Sequence, residues 1–592
     1  MKRNWRIAGL LGLGAVIALA IQPWRLAEET VERHVLAVLT QKLGLVVTGG
    51  KSGAFAVLPM PRLITHDLEV RSADGAFVAK LPRVRAQIDL LALLGGRIAF
   101  DQLTLFSPQF EVLLGPDDFN PLAVLSSLAA ANQPASPNIS VKGDGSVFFR
   151  RGANIVSSVR DVNMDVAARA PGEPVQANGS VTWRGEKLVF AIASNSAERA
   201  TLPMARIRSD LVSLEFNGRK APQTPGIPDD MLEGQVLINA PSMSRLGAWL
   251  ASGANVTLPL GNTTIAGTLQ LSAAGSQVSN AVVTLGTDVL DGAFDWRKRE
   301  QRWVLTGTFA GKSLDIGRPL SGIETQRFLP ADQNNAAPLD IDDLVAHDLD
   351  LRLSLLRVRL PGAMLTDVAV QIRSTEQRFD VMVANAGLYR GTLRGRLSLG
   401  KSEAGVEIRS QLSAERVDLG AFSADVFETR RLTGTGSFQH QVETSGRTVG
   451  ELMSNAAGRV AFVARNGDFL GTNLNDAMRR IERQPLAVAR DWRGGRTSFD
   501  QLTLNGTLGG GALDVSEGQA AGASYRLAID GRVLLTERIY RLAGTVQSTS
   551  GAHQIPFDVT GPLAEPVVAV NTRALLERSG AAAPLLQRPA AN

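Results

Sequence analysis

Five histidines stand at positions 34, 66, 347, 440 and 553 of this 592-residue chain, and none sits four residues from another to pair ring nitrogens on one helix face. There is no cysteine, which excludes thiolate metal sites and disulfides. Carboxylate pairs occur at Asp229-Asp230 and Asp342-Asp343, in Pro- or Asp-rich stretches where solvated turn residues are the expected role. The hexapeptide FDQLTL occurs twice, at 100–105 and 499–504, and so repeats a carboxylate as Asp101 and Asp500. In each copy the apolar alternation slips at Asp-Gln: Phe100 gives way to Leu103 and Leu105, and Phe499 to Leu502 and Leu504. A one-residue slip moves side chains to the other face of a strand, so Asp-Gln marks a bulge or break. An acid or base needs a partner, and neither copy has one in sequence. No Gly-x-Ser-x-Gly elbow or phosphate loop occurs; GTGSFQ (Gly434–Gln439) lacks the third glycine of a dinucleotide fingerprint. The residues describe no enzyme and imply no cofactor or metal. One basic cluster remains: Arg479, Arg480 and Arg483 share a short helical stretch, with Arg490, Arg493 and Arg496 following. They suit contact with anionic lipid head groups near a membrane; Asp476 and Glu482 allow the plainer reading of a solvated helix face.

The elements that position these residues are strands. LDLRLSL (Leu349–Leu355) puts Leu349, Leu351, Leu353 and Leu355 on one side and Asp350, Arg352 and Ser354 on the other, the period of a strand with one apolar and one wet face. Val368–Ile372, Phe379–Val383, Tyr525–Leu535 and Ile555–Val559 alternate likewise. Such strands form antiparallel sheets, since strands buried on both faces read as continuous apolar runs. Runs beginning at Gly145, Gly179, Gly234, Gly267, Gly395, Gly458 and Gly531 predict strands that open on a turn glycine. Roughly 25–30 strands fit the length. Short helices are expected at Leu26–Gly44, Asn120–Ala131, Met243–Ser252, Val449–Gly458 and Thr472–Gln484. Linkers fall at Asn132–Asn138, Lys220–Asp230 and Pro330–Pro338. Periodicity leaves open whether a second sheet or acyl chains cover the apolar face.

Composition places the chain. With 62 basic and 57 acidic residues the net charge is only +5, too balanced to point to nucleic acid. At the amino end Lys2, Arg3 and Arg6 precede the apolar run Ile7–Trp24. At about 1.5 Å per residue that run is about 27 Å long, enough to span a bilayer. Basic residues ahead of it keep the amino end cytoplasmic and send the rest across. Ala18-Leu19-Ala20 resembles a signal-peptide cleavage site; run length and the flanking Trp5 and Trp24 favour an uncleaved anchor. The anchor residues are then Lys2, Arg3, Trp5, Arg6, Ile7, Leu10, Leu13, Val16, Leu19 and Trp24.

After this segment come LVVTGGKSGAFAVLPMPRLITHDLEVRS (Leu45–Ser72), with Pro59-Met60-Pro61, and VRAQIDLLALLGGRIAFDQLTLFSPQFEVLL (Val84–Leu114), in which Leu103 leads to Pro108. The last third holds GRVAFVARNGDFLGTNL, GRTSFDQLTLNGTLGGGALDV and VTGPLAEPVVAV. Over residues 1–115 and 410–572 the chain resembles the AsmA family. The resemblance implies an inner-membrane-anchored, periplasmic protein of the bacterial envelope, related to bridge-like proteins whose groove carries phospholipid tails between membranes. Some such proteins are linked to outer-membrane protein assembly and envelope integrity, and the family brings no catalytic set. The implied fold is mainly β, an N-terminal transmembrane helix followed by an elongated, curved antiparallel sheet groove with a few short helices. The regions are then a stub and anchor (1–25), an AsmA-like amino-terminal region (26–131), a central β-rich region (132–410), an AsmA-like carboxyl-terminal region (411–572) and a disordered tail (573–592). On this reading Leu349, Leu351, Leu353, Leu355, Val368, Val370 and Ile372 line the groove, and Arg479, Arg480 and Arg483 touch head groups. The partners are phospholipids, the inner membrane, and the outer membrane or its assembly machinery; a scaffold in that assembly is the alternative.

Overall fold

The computed structural model describes residues 24–25, 45–56, 60–72, 75, 77–89, 100–113, 138–167, 175–194, 204–220, 231–250, 261–272, 275–299, 302–316, 338–345, 348–427, 430–474, 493–549, 554–563, 567–571 and 573–574. The chain divides into two compact units, Met1–Gly253 with Gly261–Val283, and Ala254–Leu260 with Thr284–Asn592.

The first unit is a ladder of β1 (Trp24–Arg25), β2 (Leu45–Ala56), β3 (Arg62–Ser72), β4 (Phe77–Ile88), β5 (Phe100–Phe106), β6 (Gln109–Leu113), β7 (Asn138–Arg151), β8 (Asn154–Ala167), β9 (Val175–Trp183), β10 (Glu186–Ser194), β11 (Met204–Arg208), β12 (Ser213–Lys220), β13 (Leu232–Ala240) and β14 (Thr263–Ser272), with most of β15 (Gly275–Leu285). Neighbours in the chain pair antiparallel except at one joint. There β5 and β6 lie end to end along β4, and both run parallel to β7. Ser107 (φ 47°) and Pro108 cut one strand into these two, since proline gives the ladder no N–H. Helix α1 (Met243–Leu250) closes Leu246 over Leu211 and Ala240.

The second unit repeats the plan. It holds β16 (Asp288–Arg299), β17 (Arg302–Gly311), β18 (Leu314–Asp315), α2 (Asp342–Val345), β19 (Asp348–Leu360), β20 (Ala363–Thr375), β21 (Arg378–Leu388), β22 (Gly391–Ser402), β23 (Gly405–Asp418), α3 (Leu419–Phe427), β24 (Thr435–Gly446), α4 (Val449–Asn455), β25 (Ala457–Thr472), β26 (Arg493–Gly509), β27 (Ala512–Gly522), β28 (Tyr525–Leu534), β29 (Ile539–Ser548), β30 (Gln554–Pro562) and β31 (Val567–Val570). Again two end-to-end strands, β17 and β18, run parallel to the next, β19. From β19 to β31 every strand pairs antiparallel with its successor. The β19–β20 turn shows why the hairpins are tight: Pro361 sets one corner and Gly362, at φ +70°, supplies the other.

The protein is mainly β, as the alternation predicts, and all five alternating runs are strands. Of the expected helices, α1 and α4 are present; Leu26–Gly44, Asn120–Ala131 and most of Thr472–Gln484 lie outside the described residues. Helices α2 and α3 are additions. The glycine reading needs correcting, because Gly145, Gly179, Gly234, Gly267, Gly395 and Gly531 lie inside strands rather than at their openings. They permit close approach: a Cβ at Gly234 would sit 2.2 Å from the carbonyl oxygen of Asn217 on β12. No described helix is long and apolar enough to cross a membrane. Trp24 lies in β1, opposite Phe55, and the other anchor residues fall outside the described set.

Both FDQLTL copies slip where expected, by different routes. In β5 Asp101 is the extra residue of a bulge, since Gln102 faces Gln87 and Phe100 faces Ile88. In β26 the register holds, yet Asp500 and Gln501 are both exposed between buried Phe499 and Leu502. The strain is taken by the facing strand, where Asn466 adopts φ +50°. Left-handed residues recur inside other strands at Asp67, Asp161, Asn280, Asp367 and Arg416. Most are Asp or Asn, which tolerate this conformation best among residues with a side chain.

Candidate functional site

The registers of the second unit assemble one continuous file of apolar and glycine residues. Leu353 on β19 faces Phe309 on one side and Val370 on the other. The file continues through Val383, Gly395, Leu412, His440 and Val460. It proceeds through Gly506, Val515, Gly531, Leu542, Val559 and Val568 to the last strand. Residues directly opposite across a ladder share a face, so this is one surface. A second file beside it runs from Gly307 through Leu351, Ile372 and Val381 to Leu397.

The opposite face has a different chemistry. Arg352, Gln371, Met382, Arg396, Gln411, Gln441 and Arg459 succeed one another across it. A shallow depression there is lined by Arg394, Arg396, Gln411, Gln441 and Arg459, and between them the file residues Gly395, Leu412, His440, Val460 and Gly506 also border it. Arg396 reaches Asp380 at 3.2 Å.

Burial along the apolar face depends on position. Towards the strand ends short elements roof it. Ile341 and Val345, beside and within α2, close over Val406 and pack against Phe379, Leu399 and Ile408. Leu419 of α3 joins Ala464, Phe499, Leu502 and Ala520, and Leu474 joins Tyr525, Val546, Ile555 and Phe557. Between these roofs Phe309, Leu353, Val370, Val383, Leu412, Val460, Leu542 and Val559 are only half-buried, and Leu397 is 38% exposed. Among the described residues of this unit nothing covers the centre of the face. Single exposed aliphatics are ordinary, but a contiguous apolar surface marks a place where something binds.

The seven groove residues read from the sequence all fall on this face, on two paired strands: Leu351 faces Ile372, Leu353 faces Val370, and Leu355 faces Val368. Leu355 (3%) and Val368 (5%) are sealed, whereas Leu349, Leu351, Leu353, Val370 and Ile372 are half-buried. The sequence reading missed Phe309, Val383, Leu412, Val460, Leu542 and Val559. Alternation in each strand was the available signal, interrupted where Gly395, Gly506 and Gly531 occupy apolar positions. Arg479, Arg480 and Arg483 lie outside the described residues.

One polar pair interrupts the apolar face. Ser410 Oγ lies 2.8 Å from His440 Nε2, with the imidazole against Phe438 at 5.5 Å between ring centres. Burial lowers the His440 pKa below its ordinary value, so the ring is neutral at neutral pH. Among the described residues no three His, Cys, Asp or Glu side chains gather to hold a metal.

Comparison with protein families matches residues 325–517 to the AsmA family. The match covers β19 to β26 and reaches into β27, the middle of the apolar file, and overlaps the quoted resemblance from residue 410 onward. It does not extend to residues 1–115. No curated protein and no solved structure matches the chain. Residues 325–517, a third of the chain, are therefore similar to the AsmA family.

Proposed function

We propose that this protein carries or bridges phospholipids from the inner membrane toward the outer membrane, acyl chains lying along the apolar face while head groups stay in water. The role is non-enzymatic and supports envelope integrity from an inner-membrane anchor with the body in the periplasm. The carrying observation is the file from Phe309 to Val568, apolar or glycine at every position but one and uncovered at its centre. Hydrocarbon tails need a continuous apolar surface and no fixed polar constellation, and burying such a surface is favourable at about 25 cal/mol per Å2.

Leu353→Asp tests this. A carboxylate set against acyl chains costs several kcal/mol unless neutralised. Leu353 is half-buried without lipid, so the new carboxylate keeps its water in the empty protein. The variant is expected to stay folded by circular dichroism and to lose co-purifying phospholipid by mass spectrometry. Unfolding would mean that the face is sealed, as a scaffold's core would be. A folded variant with its full lipid complement would remove this face from the path.

A further inference from the structure

Within the file from Phe309 to Val568, His440 is the one titratable side chain among the described residues. Leu412 faces it from β23 and Val460 from β25, and Phe438 lies along its ring. None of these can hydrogen-bond it. Its bond to Ser410 uses Nε2, and Nδ1 has no partner among the described residues. When the Ser410 hydroxyl donates to Nε2, the ring proton sits on Nδ1, which becomes a donor with no acceptor in the fold. A polar group left this way on an apolar surface costs free energy unless a ligand or water satisfies it. Leucine at position 440 would have kept the file unbroken.

From this geometry we infer that the Ser410–His440 pair is a hydrogen-bonding stop within the apolar file, taking the carbonyl oxygen of an acyl lipid at the point where its ester or carboxyl group meets the tail. The inference rests on the lipid-carrying reading and adds a choice of cargo to it: lipids with an acyl carbonyl are held more tightly than those with an ether or a bare alcohol. Ser410 acts as the positioning residue, fixing the tautomer that turns the Nδ1 proton to the ligand.

The test offers full-length protein in detergent an equal mixture of diester phosphatidylethanolamine and its diether analogue of the same chain length, and quantifies retained lipid by mass spectrometry. One hydrogen bond corresponds to about fivefold retention in favour of the diester. His440→Leu is expected to lose the preference, with diester retention falling to the level of the diether. His440→Gln, which keeps a donor, should recover part of it, and Ser410→Ala should weaken it. A parallel pair, oleic acid against oleyl alcohol, separates a free carboxyl group from an ester as the favoured source. Equal retention in both pairs by the unaltered protein, or a preference unchanged in His440→Leu, overturns the inference while leaving lipid carriage standing. Absence of any retained lipid would overturn both.

Discussion

His440 also sets a pH dependence. Burial holds its folded pKa below the usual 6.5, while the unfolded ring titrates near that value. Between the two pKa values the unfolded chain binds more protons, so the contribution is whole above about pH 6.5 and declines as pH falls below it. Leu412, Val460, Phe438 and Ser410 around it carry no charge that would offset this. Thermal melts of His440→Leu should show a shallower loss of Tm on acidification than the parent; an identical slope would place the titration elsewhere. Tyr525 works in the opposite direction. Burial first, then the nearby Asp500 and Asp468, push its phenol up to about 12, and it donates to the Ser498 carbonyl at 3.0 Å. Unfolded tyrosine ionises near 10.0, so stability is lost as pH rises from there toward 12. Tyr525→Phe should cost about 1 kcal/mol in denaturant melts, leaving that carbonyl unpaired, and should flatten the alkaline limb. Neither role was legible in the sequence. His440 stood there as one of five scattered histidines, and Ser410 reaches it only through the β23–β24 register, thirty positions away. Asp500 read as a lone carboxylate until folding brought Tyr525 near it.

Strands were the most legible elements, because alternation survives wherever one face is apolar and the other wet. The run Leu349–Leu355 identified its strand and correctly ranked which side chains share a face. The helices α2 and α3 escaped for separate reasons. The first is four residues long and has no period to detect. The second, LGAFSADVF, is apolar nearly all round, and its start depends on Asp418, whose Oδ1 accepts from Gly420 N at 3.0 Å and Ala421 N at 3.1 Å. The Asp before the run was the available signal. Strand glycines misled because a turn and a close approach favour the same residue. The difference is testable at Gly458 and Gly400. A Cβ at Gly458 would meet the Gln441 carbonyl oxygen at 2.1 Å, a backbone atom of the adjoining strand that cannot swing away. Gly458→Val should therefore cost about 1–3 kcal/mol or more by overpacking. At Gly400 the nearest atom is 3.7 Å off, and Gly400→Ala should stay within about 0.5 kcal/mol of the parent. Equal effects in chemical denaturation would show that strand spacing does not constrain Gly458.

Within each unit, pairing of sequence neighbours explains why a period-two pattern foretold so much: among the described strands the partner is mostly the next one in the chain. The exceptions are the parallel joints at β5/β6–β7 and β17/β18–β19, where a long connection returns the chain alongside the strand it left. Nothing in the strand sequences marks parallel pairing there, and periodicity could not reveal it. Placement of the chain rests on different residues from the apolar face. Under the proposed function, Lys2, Arg3 and Arg6 ahead of the apolar run Ile7–Trp24 are the residues that would keep the amino end cytoplasmic and place the body on the side where two membranes face each other. Protease added to spheroplasts should therefore degrade the body and leave a short membrane-protected fragment containing the amino-terminal residues. An epitope placed ahead of Lys2 should survive the treatment, and one placed after residue 574 should be lost. Survival of both would put the body in the cytoplasm and remove the route to the outer membrane; survival of the second alone would reverse the orientation, and loss of both in intact spheroplasts would indicate a cleaved leader.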